Sequence, residues 1–153
     1  MNSLKTLIAV STMFAASMTG SAALAHSDEY LDTQKAPNGG QMRMAGAYHY
    51  ELVVAKDSKD VKENPVVVYI TDHAGQRVPT AGATGTVTLL AGKMKASASL
   101  MPDGDNRMKG SAKYASTPGM KGIVAITLPG KSAEQARFAP IAGGKEETLD
   151  RNR

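Results

Sequence analysis

The chain has 153 residues, of which 42% are hydrophobic, 21% charged and 5% aromatic, with a formal net charge of +4. That size and balance fit one folded domain and exclude both a multidomain enzyme and a wholly disordered chain. Cysteine is absent, which excludes disulfide scaffolds and thiolate metal sites, and the mild, dispersed positive charge with few aromatics argues against a nucleic-acid reader.

Residues 1–25 read as a secretory signal. Lys5 supplies the positive start, an apolar run extends from Leu7 to Met18, and Ala23-Leu24-Ala25 forms a small-x-small cleavage site. The run is shorter than the ~20 residues a membrane span needs. The expectation is export to a bacterial periplasm, with no membrane span after signal removal and a mature chain that begins at His26. Lys5 is the only charged residue removed, so 17 Lys and Arg remain against 14 Asp and Glu, a net charge of +3 over 128 residues.

The mature chain alternates in polarity over short stretches separated by turn chemistry, the signature of an antiparallel sandwich or barrel. Residues 26–40 are polar, end in the turn cluster Pro37-Asn38-Gly39-Gly40, and read as a flexible N-terminal segment. The sheet domain is expected over residues 41–142. Gln41 to Met44 reads as a short strand. In the next strand, Tyr48 to Ala55, the residues Tyr48, Tyr50, Leu52 and Val54 point one way, to the core, and His49, Glu51 and Val53 the other. A charged loop, Lys56 to Asn64, precedes a buried-type strand, Val66 to Thr71, and Asp72-His73-Ala74-Gly75 is a turn.

Thr84 to Leu90 and Lys93 to Met101 form the clearest hairpin. A two-residue connection at Ala91-Gly92 would pair Leu89 with Met94 and Val87 with Ala96, leaving Lys93, Lys95, Ser97 and Ser99 in water. Pro102-Asp103-Gly104-Asp105 then turns the chain into a strand from Arg107 to Tyr114. A strand from Gly122 to Leu128, a type II turn at Leu128-Pro129-Gly130-Lys131 and a last strand from Ala133 to Pro140 complete the domain. Residues 143–153 read as a disordered tail. The fold class is therefore all-β, an immunoglobulin-like antiparallel β-sandwich of about seven strands.

Enzyme signatures are missing: the sequence holds no nucleophile elbow, phosphate loop or HExxH helix. A binding protein rather than an enzyme is expected. Imidazole and thioether donors suit copper, Cu(I) especially for methionine. The candidate ligands are His26, His49, Met42 and Met44. Cleavage after Ala25 would leave the amine and imidazole of His26 on one residue, able to chelate a divalent ion with Asp28 nearby. The methionines depend on the preceding turn. A two-residue turn at Ala45-Gly46 places Met42 opposite His49 and gathers both thioethers with the imidazole. A three-residue loop, Ala45 to Ala47, pairs Met44 with Tyr48 and Met42 with Tyr50 on the core face, which burial of apolar methionine favours. Met94 and Met108 read as core filling, and His73 as an exposed turn residue.

The stretch Pro37-Asn38-Gly39-Gly40-Gln41, followed by Gly46-Ala47-Tyr48-His49-Tyr50-Glu51-Leu52-Val53, resembles a group of small exported bacterial proteins with a Pro-His-Gly-Gly turn. It also looks like a short segment of the periplasmic adaptor subunits of heavy-metal efflux pumps. Tyr69-Ile70-Thr71-Asp72-His73-Ala74-Gly75 and Leu128-Pro129-Gly130 extend the first resemblance over most of the mature chain, whereas the second covers about 15–20 residues. The resemblance implies a metal context, with a component of a metal efflux system as partner. Asn38 stands where the resembled turn usually has His. The reading that results is periplasmic binding or buffering of a transition metal, copper, in metal homeostasis; the alternative is a non-catalytic interaction module that presents lysine-bearing strand faces without metal.

Overall fold

The computed structural model describes residues 26–141; the expected signal and tail lie outside the described residues. Among the described residues the chain is all-β apart from one short helix. In order, the elements are α1 (Asp28–Thr33), β1 (Gln41–Ala45), β2 (Tyr48–Val54), β3 (Lys62–Asp72), β4 (Thr84–Ala91), β5 (Met94–Pro102), β6 (Arg107–Tyr114), β7 (Lys121–Thr127) and β8 (Glu134–Phe138). All pairings between strands are antiparallel, in the order β1-β2-β3-β6-β5-β4-β7-β8. Two four-stranded halves, β1-β2-β3-β6 and β5-β4-β7-β8, are joined through two register pairs, Met101 with Lys109 and Pro102 with Met108. The first and last strands, β1 and β8, lie against each other, so the sheet nearly closes into a barrel.

The core follows from strand alternation. Tyr50, Leu52 and Val54 of β2 point inward, as their parity requires, and meet Val66, Val68 and Ile70 of β3, Met108 of β6, and Val87, Leu89, Val124, Ile126 and Phe138 from the other half. Strand β3 begins earlier than the proline suggests. Strand β2 pairs only as far as Val66, so Pro65 has its register partner, Ser111, on β6 alone, an edge-like setting in which a missing N–H is tolerated. Buried Asn64 closes the preceding loop by donating from Nδ2 to the Ser58 hydroxyl at 2.8 Å and to the Tyr114 carbonyl at 2.7 Å.

Two hairpins correct the expected registers for one shared reason. The connections are Gly46-Ala47 and Gly92-Lys93, with Gly46 at φ 56° and Gly92 at φ 60°. A two-residue turn in which only the first central residue has positive φ is of the type II′ kind, which wants glycine first, whereas the expectations placed glycine second. Strand β1 therefore pairs Met44 with His49 and Met42 with Glu51, not Met42 with His49 nor the methionines with Tyr48 and Tyr50. In the other hairpin Ala91 pairs with Met94 and Leu89 with Ala96. The inner face keeps its parity, but Met94 sits beside the turn, 45% exposed, instead of filling the core. Met108 is fully buried as expected. The type II turn at Pro129-Gly130 is present, closed by Lys131 N–H donating to the Leu128 carbonyl at 3.0 Å.

Substituting Gly92 by Ala is expected to destabilise the protein by about 1–3 kcal/mol, the price of a left-handed backbone in an L residue, because open space surrounds the added carbon. Gly46→Ala should cost a similar amount for the same reason, since its Cβ would meet only the end of the flexible Glu134 side chain, which can move aside. Urea midpoints that leave either variant as stable as the parent would contradict the turn assignment.

Candidate functional site

The register places Met42, Met44, His49 and Glu51 on the face of β1–β2 that looks away from the core, with Tyr69 and Thr71 of β3 as the pairing partners of Glu51 and His49. This outer face is not left to water. His49 is 8% exposed and Glu51 4%, because residues 26–40 fold back across it. Polar side chains so covered need partners.

Glu51 anchors one end of the covering segment. Its carboxylate accepts from the Asn38 N–H (2.8 Å), the Asn38 side-chain amide (2.9 Å) and the Gly40 N–H (2.9 Å). The Pro37-Asn38-Gly39-Gly40 turn is thus a carboxylate-bound turn, and Asn38 serves it structurally. Gly40 can have no side chain here, since a Cβ would strike the Leu52 carbonyl.

The helix α1 fastens the other end. Ser27 caps it by accepting from the Tyr30 N–H at 3.2 Å. Leu31 is its buried residue, 3% exposed. Asp28 and Asp32, four residues apart and so on one side of the helix, both face Arg43 of β1. Arg43 donates to the two carboxylate oxygens of Asp32 at 2.7 and 3.2 Å, and its Nε lies 3.5 Å from Asp28. The guanidinium holds the Asp32 carboxyl below its usual range.

These attachments bring His26 to His49. The sequence contains three histidines, and the structure gathers all of them. His26 Nδ1 lies 3.2 Å from His49 Nε2. Ring centroids are 5.3 Å apart for His26 and His49, 5.8 Å for His26 and His73, and 5.0 Å for His49 and His73, the last pair stacked at 16°. Tyr30 backs the His26 ring at 4.9 Å. His73, expected as an exposed turn residue, is half-buried, and its Nε2 is buried without a hydrogen-bond partner. It reaches the cluster because the Asp72 carboxylate ties the turn, accepting from the Ala74 and Gln76 N–H groups at 2.9 and 2.8 Å. Its parity on the extension of β3 matches that of Thr71, the partner of His49.

Burial, then the neighbouring His73 and His26 rings, lower the pKa of His49 below the ordinary 6.5, against a smaller opposing pull from Asp72. His49 is therefore biased to the neutral form, whose ring nitrogen has a lone pair to offer. The three rings and Met42 form part of the wall of a cavity of about 630 Å³, which continues past Tyr69 to the Asp103–Arg107 loop. Of the four ligands expected from sequence, His26 and His49 thus meet, and Met42 lines the same cavity. Met44 is the register partner of His49 but lies outside that cavity wall. Among the described residues, no three His, Cys, Asp or Glu side chains stand converged tightly enough to hold a metal ion as they are.

No family model matches the chain, and no curated protein matches it. Among solved structures, a conjugative transposon lipoprotein from Bacteroides eggerthii is similar over 61% of this chain and 95% of that one, at 10% identity and a TM-score of 0.35. Among the described residues no helix is long and apolar enough to cross a membrane.

Two outcomes follow from this geometry. Because the folded state disfavours protonation of His49, the unfolded chain binds more protons below about pH 6.5, so stability contributed by neutral His49 is present above that value and lost as pH falls through it. Urea midpoints between pH 5 and 8 should rise towards neutral pH and level off, and His49→Gln should flatten the rise. Separately, Glu51→Ala strands three donors in a covered turn and is expected to lower stability by about 2–4 kcal/mol, measurable by chemical denaturation.

Proposed function

We propose that the protein binds a transition-metal ion through His26, His49 and His73, with Met42 at the margin of the site, and that copper is its metal. The observation that carries this reading is the convergence of every histidine in the sequence on one cavity wall. Two features support it. Nitrogens 3.2 Å apart, as in His26 and His49, suit two donors on one ion at ~2.0–2.1 Å with an angle of roughly 100°. The unpartnered His73 Nε2 is a buried donor or acceptor that a ligand would satisfy. Rotation of imidazole about its outer torsion is soft, so closing the present arrangement around an ion asks for small movements of rings already in contact.

The role is binding or buffering in periplasmic metal homeostasis, beside an efflux system, rather than catalysis. Export through the signal at residues 1–25 belongs to the same proposal and adds a donor, since cleavage after Ala25 places a free amine on His26. The immunoglobulin-like sandwich is the finer reading of the fold, supported by the single core that both four-stranded halves line. The competing reading is an interaction module without metal, favoured by the exposed lysines Lys93 and Lys95 along one hairpin.

Copper titration of the chain beginning at His26, in both oxidation states against chelators of known affinity, separates the two. One ion bound tighter than micromolar is expected, with His49→Ala and His73→Ala each losing roughly tenfold or more, or about 1.4 kcal/mol per factor of ten. Affinity no tighter than micromolar in either state would reject the metal reading and leave the interaction module.

A further inference from the structure

Resting on the metal-binding reading, we propose that Arg43 is a positioning residue for the site: its clamp on α1 holds the His26 imidazole against His49, and the cluster is complete only while that clamp is closed. His26 precedes β1 by fifteen residues of polar chain. On an untethered segment of that length the ring would sample a large volume, and its effective concentration at His49 would be low. The Glu51 turn fixes the segment only at Asn38 and Gly40, twelve residues from His26. What fixes the near end is α1, and α1 is held by its one buried residue, Leu31, and by Arg43 with Asp28 and Asp32, to which Gln41 adds a longer bond on Asp32 at 3.4 Å.

The chemistry of Arg43 fits this task better than a packing task. Its side chain is 6% exposed, while Asp28 and Asp32 are 59% and 50% exposed. A methionine or leucine at this register position would bury as well without desolvating a charge. The guanidinium adds direction: a planar fork that takes both oxygens of Asp32 while its Nε faces Asp28 one helical turn away fixes the rotation of α1 as well as its position. His26 lies two residues before the first residue of α1, with its ring against Tyr30, so that rotation decides where the imidazole points. A lysine would supply the charge but not the fork.

The test compares Arg43→Met with the parent and with His26→Ala, each as the chain beginning at His26, by copper titration. Arg43→Met should lose affinity roughly tenfold or more, towards the level of His26→Ala, and should add no further loss in the His26→Ala background. Asp28→Asn combined with Asp32→Asn, which leaves the sheet untouched, should do the same and carries the comparison if Arg43→Met does not fold. A general structural role would instead weaken binding equally in both backgrounds, and that result, or unchanged affinity, overturns the proposal. A metal-free arm keeps the two readings apart: nuclear Overhauser contacts between the His26 and His49 rings should be present in the parent and lost in Arg43→Met. If the parent binds no copper, the metal reading fails while this arm still decides whether Arg43 seats His26; contacts that survive in Arg43→Met would refute it.

Discussion

A two-residue turn governs the arrangement of the site. With Gly46 in the first central position and positive φ, Met44 falls opposite His49 and Met42 opposite Glu51. Sheet parity is binary, so a slip of one residue would have sent the methionines inward beside Leu52 and moved Arg43 to the opposite face. The outer face of β1–β2 would then lack Met42, and α1 would have no guanidinium in reach of its two aspartates. Position of the imidazoles, attachment of the helix and the wall of the cavity all trace to where one glycine sits in a hairpin.

The cover over β1–β2 also shows how a small sheet protein buries polar groups, His49 and Glu51 on the outer face and Arg43 on the opposite parity, paired with Tyr50. Arg43, His49 and Glu51 are each less than a tenth exposed, and the N-terminal segment that buries them also supplies partners: carboxylates for Arg43, backbone and side-chain amides for Glu51, an imidazole for His49. The exception is His73 Nε2, buried with no partner. Elsewhere the Asn64–Ser58–Tyr114 group closes on itself, while Thr117 Oγ1 is likewise buried without a partner. An orphaned nitrogen beside two other imidazoles is where an external ligand has most to offer.

Much of the fold was legible in the residues. The inward set Tyr50, Leu52 and Val54, the buried run from Val66, the Pro129-Gly130 turn and the outward Lys93, Lys95, Ser97 and Ser99 all follow from alternation and turn chemistry, and the structure has them. The hairpin registers were not, because Ala-Gly and Gly-Ala read alike until the sign of φ at the glycine is known. Helix α1 left almost no periodic trace: six residues with one buried side chain are too short for a 3.6-residue pattern. The candidate site was half legible. His26, His49 and Met42 could be named from donor chemistry, but His73 looked isolated because its approach depends on the Asp72-bound turn at the end of β3, a contact across the sheet that chain order conceals. Strand count came out at eight, since the short Gln41–Ala45 segment pairs along its whole length.

The side-by-side placement of β1 and β8 matters for life at high concentration. Terminal strands of an open sheet display rows of unsatisfied amides and carbonyls that recruit the same rows on other molecules, the usual start of fibrous association. Here the two rims turn towards each other, and β1 is further capped by a short helix. With those two rims turned inward, neighbouring copies of the chain are denied either of them as a template.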